Sequence, residues 1–334
     1  MKKTSVIIPV YNMERFIKEA ILSALTQRGI SLDSLEIIAI NDGSKDGSKR
    51  VIEELAREFC NIRMIDLKEN SGVLTAVIEG LKAAKGDYIC LLDADDLWMP
   101  GKLSEVIGCF EAGYHLVFHE GEFVDAAGNP LHKETKCTVD DNNIAYNIKT
   151  FNGGIPLGSN ISFVRNKLDM DLLISVYNRF KDKKLERLVH QDTSILHALV
   201  TQDDLKIKCI RKKLYSYRIH GGNNSQHSDF EDLERLRNTY EGWMTSIQFA
   251  IEIYKISGLF YRDKSIELGF QKFLYHKNLT FKEKPLMKLW SDYIFLLRNR
   301  AFSSSNEKLR EALYPFFYRL SPRLRGFVRR RVQL

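Results

Sequence analysis

The sequence predicts an α/β fold, a mostly parallel central sheet flanked by helices, with a C-terminal helical extension. Three observations predict it. Apolar runs and amphipathic stretches alternate through the first hundred residues, polar clusters follow the apolar runs directly, and the pattern beyond about residue 230 turns helical and aromatic. Strand–helix alternation implies parallel strands with helices on both faces. Such sheets bind ligands beyond the carboxyl ends of their strands.

The first strand is SVIIPVY, a continuous apolar run of buried-strand type. After it, Phe16, Ile17, Ala20, Ile21, Ala24 and Leu25 recur at the spacing of one helical face. LEIIAI is the second strand, and Val51, Ile52, Leu55, Ala56 and Phe59 mark the helix behind it. IRMIDL is the third, followed by Val73, Leu74, Val77, Ile78 and Leu81 at the same spacing. YICLL is the fourth. Residues 101–225 are less regular, with the glycine-rich stretches NGGIPLGSN (Asn152 to Asn160) and HGGNNS (His220 to Ser225). The expected division is a domain over 1–225, with halves 1–100 and 101–225, and a helical, basic extension over 226–334.

The chain has 334 residues and 44% apolar content, enough for one large domain or two modest ones. Its five cysteines are scattered and show no metal-ligand spacing, so reduced thiols in a cytoplasmic protein are expected. No stretch approaches the ~20 apolar residues of a membrane-spanning helix. Pro9 cuts the N-terminal apolar run short, and a signal peptide is not expected. The net charge of +7 is uneven: residues 1–225 hold 30 Lys and Arg against 31 Asp and Glu, and residues 226–334 hold 20 against 12. Six arginines follow the last acid, Glu311. A basic tail mixed with Leu, Phe and Val suits the cytoplasmic face of an anionic membrane, or equally a solvated terminus. The near-neutral first two-thirds offers no broad phosphate-tracking surface, which argues against nucleic acid.

Polar chemistry collects where the fold class puts it. Tyr11 and Asn12 follow strand one, NDGS (Asn41 to Ser44) follows strand two, and DADD (Asp93 to Asp96) follows strand four. The first turn has no glycine before Gly29, so it lacks the close backbone approach that a dinucleotide grip requires. In DADD, side chains two apart on an extended segment point the same way, so Asp93 and Asp95 can converge. Two close carboxylates repel unless one is protonated or a cation lies between them. Mg²⁺ or Mn²⁺, with oxygen ligands, removes the conflict. An acidic loop capping the next helix is the alternative.

SVIIPVYN, INDGSKDGS, ENSGVLTAVIEGLKAAKGDYICLLDADD, HQDTSI and YRIHGGNNS, in this order over roughly residues 3–225, resemble the family 2 glycosyltransferases of GT-A fold. The resemblance implies a nucleotide-diphospho-sugar donor, a glycan or lipid-linked acceptor, and inverting transfer. It makes residues 1–100 the nucleotide-binding half and 101–225 the acceptor and sugar half. Pro9 and Tyr11 then belong to the nucleoside site, with Tyr11 stacking on the base. Asp42 accepts from the base imide, favouring uracil, and Asn70 lies beside it. Asp93 contacts ribose or sugar hydroxyls, Asp95 and His220 hold the metal, and Arg218 faces phosphate. Asp192, in a Gln191–Asp192 pair where the family often has Glu–Asp, is the single candidate base. An N-cap for the following helix is its plainer role.

One departure stands out: an Arg–Asn pair that contacts the nucleotide in many members is replaced here by Val77 and Ile78. The QxxRW motif and spanning helices of processive members are also missing, so addition of one or few sugars is expected. A non-catalytic nucleotide-sugar binder and a nucleotidyltransferase stay open as alternatives, although the latter needs a basic, glycine-rich grip where this chain reads VYNMERF. The aromatic helices after residue 230 could pair subunits in a homodimer as readily as touch a membrane.

Overall fold

The computed structural model describes residues 2–150, 158–182, 185, 190–221, 233–267, 271 and 296. The first half follows the alternation: β1 (Thr4–Val10), α1 (Ile17–Leu25), β2 (Leu35–Asp42), α2 (Ser48–Glu58), β3 (Ile62–Leu67), α3 (Val73–Ala83) and β4 (Tyr88–Leu91). β1 pairs in parallel with β2 and β4, and β2 with β3. Parallel pairing puts the carboxyl ends of β1, β2 and β4 along one edge.

Side-chain alternation along β1 explains the layers. Val6, Ile8 and Val10 join one apolar cluster with Ile17, Ala20, Ile21 and Ala24 of α1. Ile7 points the other way, into a second cluster with Leu74, Val77, Ile78 and Leu81 of α3. Helices therefore cover both faces. Val77 and Ile78 are fully buried in that second cluster, so the positions that depart from the family's Arg–Asn pair serve the core.

Beyond β4 the chain forms β5 (Leu97–Trp98), α4 (Lys102–Glu111), β6 (Leu116–Val124), β7 (Pro130–Thr135), α5 (Ile144–Lys149), β8 (Ser162–Val164), α6 (Met170–Asp182), α7 (Gln191–Leu199) and β9 (Ile207–Arg218). Among the described residues the sheet runs β3-β2-β1-β4-β8-β6-β9-β5, with β7 on β6. Here it turns mixed: β8 is antiparallel to β4 and β6, β5 is antiparallel to β9, and β6 and β9 are parallel. β9 thus brings its far end, Arg218, back beside the loop after β4.

Two further helices follow, α8 (Leu233–Ile256) and α9 (Leu259–Arg262). Phe249, Ala250, Ile253 and Tyr254 of α8 share the cluster that holds Ile7, and Phe249 meets Phe180 of α6 edge-on at 5.0 Å. The His190 backbone N–H donates to Ser246 Oγ at 2.8 Å. α8 is therefore built into the helical layer on that face, next to α7. No helix among the described residues is long and apolar enough to cross a membrane. The arginine-rich tail and Gly222 to Ser225 lie outside the described residues.

α7 and α8 are joined by a hydrogen bond between His197 Nδ1 and the Tyr254 hydroxyl. Burial pushes the His197 imidazole down to about 3. The unfolded imidazole takes up a proton below about pH 6.5 while the folded one does not. Its contribution is complete above pH 6.5 and is lost as pH falls toward 3, amounting to about 2 kcal/mol at pH 5. Urea unfolding of wild type and His197→Gln at pH 7 and pH 5 measures this directly. The stability advantage of the wild type should shrink by about that amount at the lower pH.

Candidate active site

Parallel strands deliver polar turns to one edge, and the turns lock onto one another. Asn12, at a positive φ of 55°, donates its backbone N–H to Ser44 Oγ at 3.0 Å. Its Oδ1 accepts from the Lys45 backbone at 2.8 Å. The Met13 N–H donates to Ser48 Oγ at 2.8 Å. Gly43, at φ 65°, lies so close to the next loop that a Cβ there would meet the Glu69 carbonyl carbon at 2.5 Å. Only glycine fits that turn without displacing backbone.

This frame sets the first group of expected residues. Pro9 is half-buried in β1, and Tyr11 is exposed at the strand's end, 41% accessible. Asp42 is buried, and its two oxygens accept the backbone N–H groups of Ser71 (2.7 Å) and Gly72 (2.9 Å). Its carboxylate therefore ties β2 to the start of α3, where the helix dipole favours an anion. Asn70 Oδ1 accepts from the same Gly72 N–H at 3.2 Å. Tyr11, Asp42 and Asn70 thus belong to one connected set of turns, with Asp42 already holding backbone.

The second group surrounds DADD. The Asp93 backbone N–H donates to Ser159 Oγ, and the same hydroxyl donates to Asp96 Oδ2 at 2.6 Å. Asp93 Oδ1 accepts from Gln191 Nε2 at 2.7 Å, which joins the loop to the first turn of α7. Asp95 Oδ2 and His220 Nε2 are 3.0 Å apart, with both side chains largely buried. Asp96 is fully buried and also accepts the Arg218 N–H at 3.0 Å. Desolvation, then the charges of Asp95 and Asp192, push Asp93 up to about 7. Burial, then the charges of Asp95 and Asp93, raise Asp96 well above the usual carboxylate range. Asp95 and Asp192 are thus close enough to Asp93 for their charges to oppose its ionisation.

Asp192 is in the first turn of α7, and His190 occupies the N-cap position that sequence reasoning offered it. Asp192 Oδ1 accepts from the Thr193 backbone N–H at 2.6 Å and from Thr193 Oγ1 at 3.3 Å. Arg218 differs most from expectation. Its side chain is 2% exposed and is engaged by protein acceptors: Nε on the Asp95 carbonyl (2.8 Å), Nη1 on the Ala126 carbonyl (3.0 Å) and Nη2 on Glu19 (2.6 Å). Phe16 sits beneath both, with the guanidinium 5.0 Å above its ring and the His220 ring 4.6 Å away. Within the chain, this charge holds the acidic loop to α1 and β9.

Sequence reasoning did not find Asp96, Ser159, Phe16 or Glu19. Only the fourth residue of DADD carried a signal, because the contacts of the others join residues 63 to 204 positions apart. Of the glycine-rich GGIPLGSN, residues 153–157 lie outside the described residues. Gly158 packs against Asp93, where a Cβ would meet Oδ2 at 3.4 Å. Among the described residues no group of three or more His, Cys, Asp or Glu forms a metal cage. Asp95 and His220 offer an oxygen and an imidazole nitrogen side by side.

Comparison with known proteins agrees with this architecture. GgaB, a minor teichoic acid biosynthesis protein of Bacillus subtilis, is 39% identical over 107 residues, covering 32% of this chain and 12% of GgaB. The uncharacterized glycosyltransferase alr2836 of Nostoc sp. is 29% identical over 228 residues, 66% of each chain. The chain thus spans no more than 66% of either relative's length. Staphylococcus aureus TarS 1–349 in complex with UDP superposes with a TM-score of 0.58 at 18% identity, over 93% of this chain and 86% of that one. Its complex with UDP-GlcNAc gives 0.52 at 17% identity, over 82% and 80%. The fold is therefore GT-A. Residues 5–167 match the family model described as glycosyl transferase family 2.

Proposed function

We propose that the chain transfers a sugar, with inversion, from a UDP-linked nucleotide sugar to a hydroxyl of a glycan or lipid-linked acceptor. The observation that carries this reading is the convergence of Asp93 and Asp95 on Asp192, through the Gln191–Asp93 bond, at the carboxyl end of β4. TarS is known bound to UDP and UDP-GlcNAc, and GgaB is named for teichoic acid biosynthesis; both support a UDP-linked donor and a polymeric acceptor.

The geometry supports these roles. Tyr11 offers an exposed aromatic face to the base beside Pro9. Each Asp42 oxygen keeps a lone pair beyond its backbone bond, which is what a base imide would use. Asn70 fixes the adjoining turn. Asp93 reaches ribose or sugar hydroxyls. Asp95 and His220 would hold Mn²⁺ or Mg²⁺, whose acceptance of mixed oxygen and imidazole ligands fits them. When bound, the ion supplies positive charge against the departing diphosphate.

Asp192 takes the acceptor proton. Its bonds from Thr193 all fall on Oδ1, which orients the carboxylate and leaves Oδ2 for that proton. Arg218 acts as a positioning residue, because removing it would strip a buried fork from the Asp95 carbonyl and the Ala126 carbonyl. The arginine-rich tail would hold the protein at a membrane surface that carries the acceptor.

In Asp192→Asn, transfer should fall ~10²–10⁴-fold with UDP affinity unchanged, measured by single-turnover assay and calorimetry. A non-catalytic binder would instead show no transfer even in the wild type. NMR of the product should show the anomeric configuration opposite to that of the donor, and EDTA should abolish turnover reversibly. Arg218→Met should lose about 3 kcal/mol in urea unfolding and raise the Mn²⁺ concentration needed for half-maximal activity. Native stability with a selective loss of UDP affinity would return Arg218 to the phosphate-facing role.

A further inference from the structure

Gln191 is 9% exposed and has one amide end occupied. Its Nε2 donates to Asp93 Oδ1 at 2.7 Å. With Nε2 on Asp93, Oε1 is the opposite end of the amide. That oxygen is buried and has no hydrogen-bond partner among the described residues. A buried acceptor left unpaired is costly, and such an arrangement persists where a ligand relieves it.

Its place in the fold narrows the ligand. Gln191 is bonded to Asp93, two residues from the Asp95–His220 pair, and directly precedes Asp192. In the donor-site reading above, on which this inference rests, the diphosphate lies on the first side and the acceptor hydroxyl on the other. The transferred sugar must lie between them. An orphan acceptor at that point suits a donor O–H and rejects a carboxylate or carbonyl.

We propose that Gln191 is a specificity-determining residue that reads one hydroxyl of the donor sugar through Oε1 while Nε2 stays on Asp93. The oxygen is buried, so the amide turns slightly about its broad terminal torsion to meet the sugar. A neutral amide also suits the site better than an acid. A glutamate here would set another carboxylate against Asp93, beside Asp95 and Asp192.

The test is calorimetric titration of UDP, UDP-N-acetylglucosamine, UDP-glucose and UDP-galactose, with Mn²⁺, into wild type and Gln191→Met. The sugar that adds most affinity over UDP is then titrated as its single-deoxy analogues. In Gln191→Met, the Kd for UDP should stay within about twofold while the Kd for that UDP-sugar rises about tenfold, the effect of one hydrogen bond to a buried group. One deoxy analogue should bind wild type about tenfold more weakly than its parent, and the variant should no longer distinguish the two. Gln191→Asn, which withdraws the amide by one methylene, takes the same test if the methionine variant melts below the assay temperature.

An unchanged sugar increment in the variant overturns the proposal, as does the absence of any increment in the wild type. Equal weakening of UDP and UDP-sugar also overturns it, since that is the signature of structural support for Asp93 alone. Failure of the wild type to bind UDP at all is a different result: it contradicts the donor-site reading and removes this inference with it.

Discussion

Carboxylates crowded onto one sheet edge set the terms for everything around them. Asp93, Asp95, Asp96 and Asp192 are close enough for the charges of Asp95 and Asp192 to raise Asp93, and for those of Asp95 and Asp93 to raise Asp96. Like charges at such separations disfavour each other's ionised forms. The fold answers each carboxyl differently. Asp96 is buried under the Ser159 hydroxyl and the Arg218 N–H, Asp93 is held by Gln191, and Asp95 faces His220. The Arg218 guanidinium supplies a fully buried positive charge in contact with the loop. The proposed divalent cation and diphosphate would together balance the charge that this loop retains.

This arrangement gives the long return of β9 a purpose. Arg218 and His220 come from the far end of that strand, yet both stack on Phe16 at the start of α1. Glu19, one turn along the same helix, meets the same guanidinium. The first and second halves of the described domain are thereby clamped across the acidic loop. α7 is clamped from the opposite side, by Gln191 to Asp93 and by His197 to Tyr254 of α8. Asp192 thus sits on a helix held at both ends, which is what a proton acceptor needs if its position is to be reproducible.

Much of the fold was legible because β1 to β4 are continuous apolar runs separated by helices of clear period, and period survives without tertiary context. Parallel strand ends then place Tyr11, Asp42 and Asp93 on one edge by topology alone. The mixed second half was not legible, since β8 is three residues long and β5 two. Strands that short carry no periodicity. Site roles divide the same way. Asp95 and His220 were named from local motif and do meet, whereas Arg218 was named for its charge and turned out to be buried. Its partners lie 92 to 199 positions away, and nothing local to YRIHGG reports them. The Val77–Ile78 departure has a physical reason that the sequence could only hint at: that face of α3 is core.

The central claim is that this edge binds a nucleoside diphosphate together with a divalent cation. The most direct measurement is thermal stabilisation by UDP, with GDP, CDP and dTDP as controls, each with Mn²⁺ and with EDTA, in wild type and Asp95→Ala. A ligand that binds only the native state raises the melting temperature by mass action, by ~2.7 kcal/mol of stability at a hundredfold excess over Kd. The account predicts stabilisation by UDP that requires Mn²⁺ and disappears in Asp95→Ala. Stabilisation by no nucleotide, or by UDP equally well in EDTA and in Asp95→Ala, would contradict it.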